Sequence, residues 1–166
     1  MNKVNHVAFI MDGNGRWGKK KKRSRNFGHL KGVEVVKKVV QSSIKYKIPV
    51  VTFYVFSSEN WSRPKREIDY LFRLINNYFS KEILNTIKEG IKINILGEID
   101  KLPKDIKKTL KSAINKTKKN KKILVNLAIN YGSKKEILIA IKKNKKKVNQ
   151  VIFEEILGSK NIPYPD

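Results

Sequence analysis

The stretch HVAFIMDGNGRWGKKKKRSRNFGH, residues 6–29, joins an apolar run to an acidic residue, a glycine-rich turn and a dense basic flank. Its first part, His6 to Met11, is a short and nearly continuous apolar segment with β-branched and aromatic members, which predicts a buried strand. Asp12 therefore lies at the carboxyl end of that strand. In open α/β sheets this edge is where ligands bind, so the stretch indicates both a fold class and the position of a site.

The residues around Asp12 are suited to binding an anion. Gly13 and Gly15 permit the positive φ angles that turn backbone N–H groups towards a phosphate. Arg16 and Arg25 can each hold phosphate oxygens with two parallel hydrogen bonds. Because a carboxylate next to a phosphate is repulsive by itself, we expect a divalent cation, Mg2+, between Asp12 and the phosphate. The stretch therefore predicts a metal-assisted diphosphate site.

Two generic phosphate motifs also match this stretch. Residues 13–18 satisfy the dinucleotide pattern G-x-G-x-x-G, and Glu34 lies about 20 residues further on, as that pattern requires. However, the cationic run Lys19–Arg23 stands where the pattern needs an apolar helix. Residues 13–19 also fit the P-loop pattern, except that Lys20 occupies the position of the Ser or Thr that binds magnesium. A solvated basic turn without a ligand is the remaining alternative.

A second polar cluster follows another apolar run. Pro49 to Phe56, PVVTFYVF, predicts a second buried strand, and the cluster SSENWSRP, residues 57–64, begins where it ends. The cluster offers a hydroxyl, a carboxylate, an amide and a guanidinium, a mixture suited to orienting a charged substrate and relaying a proton. These groups belong to Ser57, Glu59, Asn60 and Arg63. Taken singly the residues are ordinary, since Ser58 and Asn60 also suit turns and Trp61 also suits packing.

The motifs HVAFIMDGNGRW, RNFGH and FSSENWSRP, in this order and spacing, and the later motif NLAINYG resemble those of the cis-prenyltransferases, the family of undecaprenyl diphosphate synthase. The resemblance has clear motifs from His6 to Gly132. It implies an isoprenyl transferase that condenses isopentenyl diphosphate with an allylic diphosphate, usually farnesyl diphosphate. The product it implies is a cis-polyprenyl diphosphate for the synthesis of a cell-wall lipid carrier.

The resemblance also implies a role for each matching residue. The residue at Asp12 binds Mg2+ and assists the departure of diphosphate from the allylic substrate. The residues that hold this diphosphate and the first isoprene unit are Gly13, Asn14, Gly15, Arg16, Trp17, Arg25 and His29. The residues of the same pocket in the second cluster are Ser57, Ser58, Glu59, Asn60, Trp61 and Arg63. Asn60 is often assigned a part in proton removal, and because an amide is a poor base, we expect it to orient a water or a phosphate oxygen.

A helix is predicted between the two clusters. The stretch Gly32 to Ile44 carries valines and an isoleucine at helical spacing. Packing against the core of the sheet is sufficient to explain these residues. The resemblance implies a second role, because in the family this helix forms one wall of the tunnel that holds the lengthening polyprenyl chain.

The rest of the chain alternates helices with strands. Amphipathic spacing predicts a long helix from Glu67 to Glu89, which Gly90 ends. The later segments are predicted as a strand at Ile91–Leu96, a helix at Pro103–Lys116, a strand at Ile123–Ile129 and a helix at Lys134–Lys143. We therefore predict a single α/β domain over residues 1–166, with a mainly parallel sheet flanked by helices.

The composition limits the cellular location and the partners that we expect for the protein. The 166 residues contain no cysteine, which excludes a disulfide framework and fits a reducing cytoplasm. No apolar stretch approaches the length of a spanning helix, so we expect peripheral contact with the inner face of the membrane, through the lipid product. The net charge of +24 would suggest nucleic acid. The excess is mostly lysine, spread through Lys101–Lys122 and Lys134–Lys147 as is typical of solvated helix faces, so we expect no specific nucleic-acid partner.

The resemblance is incomplete at the carboxyl end. Complete family members continue past Asp166 with an arginine-rich R-x-G-G-x-x-R-x-S block and a glutamate, which hold isopentenyl diphosphate and complete the metal site across a homodimer. We therefore expect a chain truncated at its carboxyl terminus, which alone is weakly active or inactive. One alternative is a noncatalytic prenyl-diphosphate-binding subunit of a hetero-oligomer, against which the intact Asp12 argues. The other is a basic nucleic-acid-binding domain, for which the sequence has no recognised motif.

Overall fold

The computed structural model describes residues 4–143 and 150–166, so part of the lysine-rich stretch Lys134–Lys147 lies outside the described residues. Within these ranges the strands are β1 (His6–Ile10), β2 (Val50–Ser57), β3 (Ile91–Leu96) and β4 (Ile123–Tyr131). The helices are α1 (Asn14–Lys20), α2 (Arg25–Lys45), α3 (Lys65–Lys88), α4 (Lys104–Thr117), α5 (Ser133–Lys143) and α6 (Gln150–Ile156), and short 3-10 helices cover Ser58–Ser62 and Ile99–Lys101. No helix in the described ranges is both long and apolar enough to span a bilayer.

The strands form one parallel sheet in the order β1-β2-β4-β3. Helices connect successive strands, which confirms the predicted α/β fold with a parallel sheet. The carboxyl ends of the described strands therefore meet at one edge. At this edge a register shift from Tyr54 to Ser57 interrupts the pairing of β2 with β4. This irregularity lies where the second predicted polar cluster begins. An irregularity of this kind changes the direction in which side chains point.

One face of the sheet packs against α2, α3 and α4 and forms the core. Its fully buried side chains include Val51, Phe53, Ile106, Leu110 and Ile129. The ring of Phe53 also stacks on the ring of Phe9 in β1, with centroids 5.4 Å apart. Burial of each large apolar side chain contributes about 1.5–3 kcal/mol, so this layer supplies the main stabilisation of the fold.

The opposite face of the sheet buries polar side chains that are joined from strand to strand. The Nε2 of His6 lies 2.8 Å from the Oγ1 of Thr52, which also accepts a hydrogen bond from the Nδ2 of Asn126 at 3.1 Å. The Oδ1 of Asn126 accepts in turn from the Nδ2 of Asn94 at 2.9 Å. The Nδ1 of His6 lies 2.6 Å from the carbonyl oxygen of Pro163. Each buried polar group thus has a partner on a neighbouring segment, which supports the observed strand order.

The glycine-rich turn of the sequence is a short helix. Helix α1 occupies Asn14–Lys20, where the sequence predicted a turn, and α2 begins at Arg25, upstream of the predicted stretch Gly32 to Ile44. The hydroxyl of Ser24 caps α2 by accepting from the N–H of Phe27 at 3.1 Å. The prediction of a turn was wrong. The glycines favour a turn because glycine has a low helix propensity, but contact with α2 stabilises this short helix.

Two glycines allow α1 and α2 to touch. A Cβ atom on Gly28 would overlap the carbonyl oxygen of Asn14, and one on Gly18 would overlap the carbonyl oxygen of Ser24. Any side chain at these positions would push the two backbones apart. The close contact therefore holds α1, and with it the residues after Asp12, against α2.

We expect Gly28→Ala to lower the free energy of unfolding by about 1–3 kcal/mol, because the added methyl group must displace the backbone of α1. Val35→Ala, at an exposed position of the same helix, is the control and should change it by less than about 0.5 kcal/mol. Urea unfolding followed by circular dichroism measures both. Equal stabilities of Gly28→Ala and the unaltered protein would contradict the close packing.

Candidate active site

A cavity of about 330 Å³ opens at the carboxyl ends of β1 and β2. Most of the site residues predicted from the sequence line it. These are Asp12, Gly13, Asn14, Gly15, Arg16, Arg25, His29, Ser57, Asn60 and Arg63. The predicted residues that the cavity lining does not include are Trp17, Ser58, Glu59 and Trp61.

The carboxylate of Glu67, in the first turn of α3, is the centre of the polar wall. Its side chain is only 8% exposed and accepts hydrogen bonds from the Nε of Arg25 at 2.8 Å and from the Nη2 of Arg25 at 3.0 Å. It also accepts from the Nε2 of His29 at 3.1 Å and from the Nη1 of Arg63 at 3.3 Å. A single carboxylate thus ties α2 to the segment that leads into α3.

This arrangement sets the charge of Glu67 and of its partners. The hydrogen bond from Arg25 is the main cause that lowers the pKa of Glu67 to about 2, so the carboxylate is ionised at neutral pH. Burial lowers the pKa of His29, so its ring is neutral at neutral pH. Because an ionised carboxylate can only accept a hydrogen bond, the neutral ring of His29 carries its proton on Nε2.

The guanidinium of Arg25 lies against the backbone of α1. A Cβ atom on Gly15 would be 2.8 Å from the Cζ of Arg25, so the glycine provides the space that this group needs. Gly13 has a left-handed φ of 82°, as expected, but the expectation of a positive φ at Gly15 was wrong because Gly15 is helical. With Nε and one Nη2 hydrogen directed at Glu67, the other edge of the guanidinium is the part of Arg25 that remains for an anion.

Asp12 lies just after β1, and its side chain is 68% exposed. The Nη2 of Arg16 donates to its Oδ2 at 3.0 Å. No group of three or more His, Cys, Asp or Glu side chains in residues 4–143 and 150–166 could hold a metal ion. Mg2+ usually takes one or two carboxylates and completes its octahedron with water and substrate phosphate. A single exposed carboxylate therefore fits Mg2+ held together with a diphosphate, and does not fit a cage made of protein ligands.

The 3-10 helix Ser58–Ser62 is fixed by Ser57 and Asn60. The Oδ1 of Asn60 accepts from the N–H of Ser57 at 3.1 Å, and the side chain of Ser57 accepts from the backbone N–H of Asn60. Because the amide oxygen of Asn60 is engaged, its remaining polar group is the donor Nδ2.

The carboxylate of Glu59 lies outside the cavity lining and is exposed. Its pKa is lowered, first by its own backbone N–H and then by the hydroxyls of Ser57 and Ser58. The Oγ of Ser58 donates to the Oε1 of Glu59 at 3.1 Å. Glu59 is therefore an ionised surface group that is paired within its own loop.

The two tryptophans of the chain lie beside the cavity. Trp61 packs against the ring of Phe72, with centroids 5.7 Å apart, and its Nε1 donates to the Oδ1 of Asn130 at 2.9 Å. Trp17 stacks on Phe27 with an angle of 9° between the ring planes. Trp61 thus occupies the packing position that the sequence left open as an alternative.

The cavity extends towards an apolar region between α2, α3 and the sheet. A smaller cavity of about 90 Å³ shares lining residues with it, namely Val33, Val36, Val55, Leu74 and Ile75. Two valines of α2 therefore line the apolar end of the cavity, and the tunnel implied by the family resemblance stays a prediction. Val35, from the same predicted stretch, is exposed to solvent instead.

Sequence reasoning missed two residues of this region. Glu67 was assigned only to the start of a helix, although its spacing of four residues from Arg63 is typical of an ion pair on adjacent turns. Tyr131 lines the cavity, and its hydroxyl donates to the Oε2 of Glu136 at 2.8 Å. Burial raises the pKa of Tyr131, so the phenol stays protonated. The available signal was its place in NLAINYG, just where a predicted strand ends.

Glu67→Gln should destabilise the protein at neutral pH by about 2–3 kcal/mol, because two guanidinium groups lose their counter-charge. The pKa of Glu67 is lowered from its ordinary value of 4.5 to about 2. The stability that this carboxylate contributes is therefore complete above pH 4.5 and is lost as the pH falls towards 2. Urea unfolding across this range should show the variant and the unaltered protein converging in acid.

Asp69→Asn provides the matched control on the same helix. Asp69 pairs with Lys65 at 2.7 Å, and both side chains are exposed. Its loss should cost less than about 1 kcal/mol. An equal loss in the two variants, or a Glu67→Gln difference that does not change with pH, would show that the buried carboxylate has no special role.

Comparison with known proteins identifies the family of this chain. The prenyltransferase family model of undecaprenyl diphosphate synthase matches residues 10–166. The isoprenyl transferase of Clostridium tetani is 40% identical over 97% of this chain and 67% of its own length. The isoprenyl transferase of Halalkalibacterium halodurans is 43% identical over 86% of this chain and 56% of its own length. The chain thus spans between 56% and 67% of the length of these two relatives.

Two solved structures share the fold. The crystal structure of lavandulyl diphosphate synthase from Lavandula x intermedia, in complex with dimethylallyl diphosphate, has a TM-score of 0.90 at 25% identity, over 97% of this chain and 73% of that chain. The structure of a probable undecaprenyl diphosphate synthase from Campylobacter jejuni has a TM-score of 0.77 at 28% identity, over 95% and 70% of the two chains. The family model, the curated relatives and the fold agree, and this chain belongs to the cis-prenyltransferase family, the family of undecaprenyl diphosphate synthase.

Proposed function

We propose that the cavity binds the allylic diphosphate of a cis-prenyl transfer, in which isopentenyl diphosphate is condensed with farnesyl diphosphate to give a cis-polyprenyl diphosphate. The observation that carries this proposal is a single cavity with arginines at one end and valines of α2 at the other. An allylic diphosphate has the same division between a charged head and an apolar tail. Lavandulyl diphosphate synthase, which shares the fold, was crystallised with dimethylallyl diphosphate, a ligand of this chemistry.

The arginines suit the departure of diphosphate. Arg25 and Arg63 are held by Glu67, so their free N–H groups are fixed before a ligand binds. Arg16 pairs with Asp12 on an exposed surface and can exchange this partner for a phosphate oxygen. When the carbon–oxygen bond of the allylic diphosphate breaks, negative charge builds on the leaving group. The cations then stabilise the transition state more strongly than the bound substrate.

Asp12 is the residue that would hold Mg2+, and the metal would neutralise charge on the leaving diphosphate. Asn60 donates through Nδ2, because its Oδ1 accepts from the N–H of Ser57. A donor of this kind orients a phosphate oxygen or a water and does not itself remove a proton. His29 is neutral and donates through Nε2 to Glu67, which leaves the lone pair on its Nδ1 as an acceptor.

The apolar end would hold the isoprenoid tail. Val33 and Val36 of α2 line the same space as Leu74 and Ile75 of α3. Each methylene group that leaves water contributes about 0.8 kcal/mol. Tail length therefore adds affinity without any further polar contact, as a growing polyprenyl chain requires.

We propose a cytoplasmic setting at the inner face of the membrane, where the lipid product would be delivered. Two further expectations stay predictions. One is the homodimer that the family resemblance implies, and the other is isopentenyl diphosphate as the second substrate. The site requires no nucleic acid.

Arg16→Gln should weaken binding of farnesyl diphosphate to the purified chain by about tenfold or more, because a charge-assisted hydrogen bond contributes about 1.5–3 kcal/mol. Isothermal titration calorimetry in the presence of Mg2+ measures the effect. Lys108→Gln, on the exposed face of α4, removes the same charge and should leave the affinity unchanged. Farnesol has the same tail without the diphosphate and should bind both proteins weakly and equally. Equal affinities for farnesol and farnesyl diphosphate would contradict the proposed head-group site.

Asp12→Asn should remove the effect of Mg2+ on this binding. The unaltered protein should bind farnesyl diphosphate more tightly with Mg2+ than with a chelator, whereas the variant should bind it equally in both conditions. Asp69→Asn removes an exposed carboxylate that is not part of the cavity lining and should keep the Mg2+ effect. A Mg2+ effect that persists in Asp12→Asn would overturn the metal assignment.

A further inference from the structure

A basic surface with aromatic rings lies beside the candidate site. We define the Trp17 patch as Trp17, Phe27 and the cationic run Lys19–Arg23. The cations are exposed and follow one another through the end of α1 and the turn into α2. Trp17 is 43% exposed, a high value for so large an apolar side chain.

The cations of the Trp17 patch differ from other lysines of the chain in their ion pairing. In the part of the chain that the structure describes, none of Lys19–Arg23 forms an ion pair, whereas lysines before and within α4 do. Lys101 pairs with Glu98 at 2.8 Å, and Lys107 pairs with Asp100 at 2.6 Å. Among the described residues, cations near α4 are thus partly compensated by acidic side chains, whereas those of the patch are not.

The aromatic part of the patch is held in a fixed position. Trp17 stacks on Phe27 with ring centroids 6.0 Å apart. The Cζ of Arg23 and the Nζ of Lys31 lie 5.8 Å and 5.9 Å from the centroid of Phe27, so cations and rings form one surface. The backbone contact at Gly28 fixes α1 against α2 and therefore keeps the two rings together.

We propose that the Trp17 patch docks the protein on the surface of an anionic lipid bilayer. A tryptophan at a membrane–water interface places its apolar body and its polar N–H in suitable surroundings. Consecutive lysines and arginines are attracted by the negative surface potential, and each increases binding roughly fivefold. The patch combines both features on one rigid surface. This docking goes beyond prenyl transfer and does not depend on it.

The Trp17 patch lies next to the polar end of the cavity. Arg16, which lines the cavity, precedes Lys19 and Lys20 by about one helical turn on α1. Docking therefore brings the polar end of the cavity near the lipid headgroups. If the cavity acts as proposed, a product with a long apolar tail leaves the site beside the bilayer.

Nucleic acid is the competing partner for a basic surface. Proteins that bind single strands use aromatic rings spaced as platforms on which successive bases stack. Here Phe27 is covered by Trp17 and flanked by Arg23 and Lys31, so the patch offers no second free ring beside Trp17. The arrangement favours a lipid surface.

Co-sedimentation with phosphatidylcholine vesicles that contain phosphatidylglycerol tests the proposal. Replacement of Lys19, Lys20 and Lys21 by Gln should weaken binding about 100-fold, because three charges near the membrane are removed. Vesicles of phosphatidylcholine alone should bind the unaltered protein weakly. Absence of binding to the anionic vesicles would overturn the proposal.

The matched control replaces Lys116, Lys118 and Lys119 by Gln. These lysines are exposed at the end of α4, and their replacement gives the same net charge as the patch variant. Binding of the control should stay within about fivefold of the unaltered protein, because these charges do not face the bilayer. Equal losses in the two triple variants would show that total charge decides the binding, and this would overturn the patch.

Fluorescence shows which surface docks. Trp61→Phe leaves Trp17 as the remaining tryptophan, and its emission should shift to the blue when anionic vesicles are added. An unshifted emission from vesicle-bound protein would mean that another surface docks.

An RNA oligonucleotide provides the last comparison. Loss of RNA binding without loss of vesicle binding in the patch variant would assign the patch to nucleic acid instead.

Discussion

The candidate site depends on one buried carboxylate. Two guanidinium groups at the wall of a partly closed cavity repel each other, and partial burial of either one without a counter-charge is costly. Glu67 offsets both the repulsion and the penalty of burial, since it pairs with Arg25 from α2 and with Arg63 from the segment before α3. The helices that enclose the cavity are therefore joined by the same interaction that orients its cations.

This shared anchor prepares the site for an anion before one arrives. An arginine that is free in solvent loses side-chain entropy when it binds a phosphate, whereas Arg25 and Arg63 lose much of it on folding. Their remaining N–H groups then act as preorganised donors, which stabilise developing charge without first being rearranged. Arg16 differs because its partner Asp12 is exposed. The cavity thus combines two fixed cations with one that can change partners as a ligand enters.

The sequence predicts the frame of this site better than its interior. β1 and β2 follow from apolar runs, and because parallel strands share a carboxyl edge, the two polar clusters could be placed together. The prediction that β1 is buried was wrong, because it is an edge strand and Ile10 is 81% exposed. Helix α1 could not be predicted, since Gly15 and Gly18 have low helix propensity and the helix depends on contact with α2. Glu67 could not be recognised as a centre because Arg25 and His29 lie 42 and 38 residues away from it. No local pattern records such a contact.

The position of the cations next to the cavity matters more than the net charge of the whole chain. Arg16 at the cavity and Lys19–Arg23 lie within two turns along the chain, so several cations act within the Debye length of about 8 Å at physiological salt. A diphosphate or an anionic bilayer that approaches this region meets them as one positive potential, which steers both towards the mouth of the cavity. Added salt screens this surface attraction, but it screens the buried contacts of Glu67 much less. Ionic strength therefore separates the two contributions: attraction to the surface weakens with salt, while the geometry of the arginines inside the cavity is preserved.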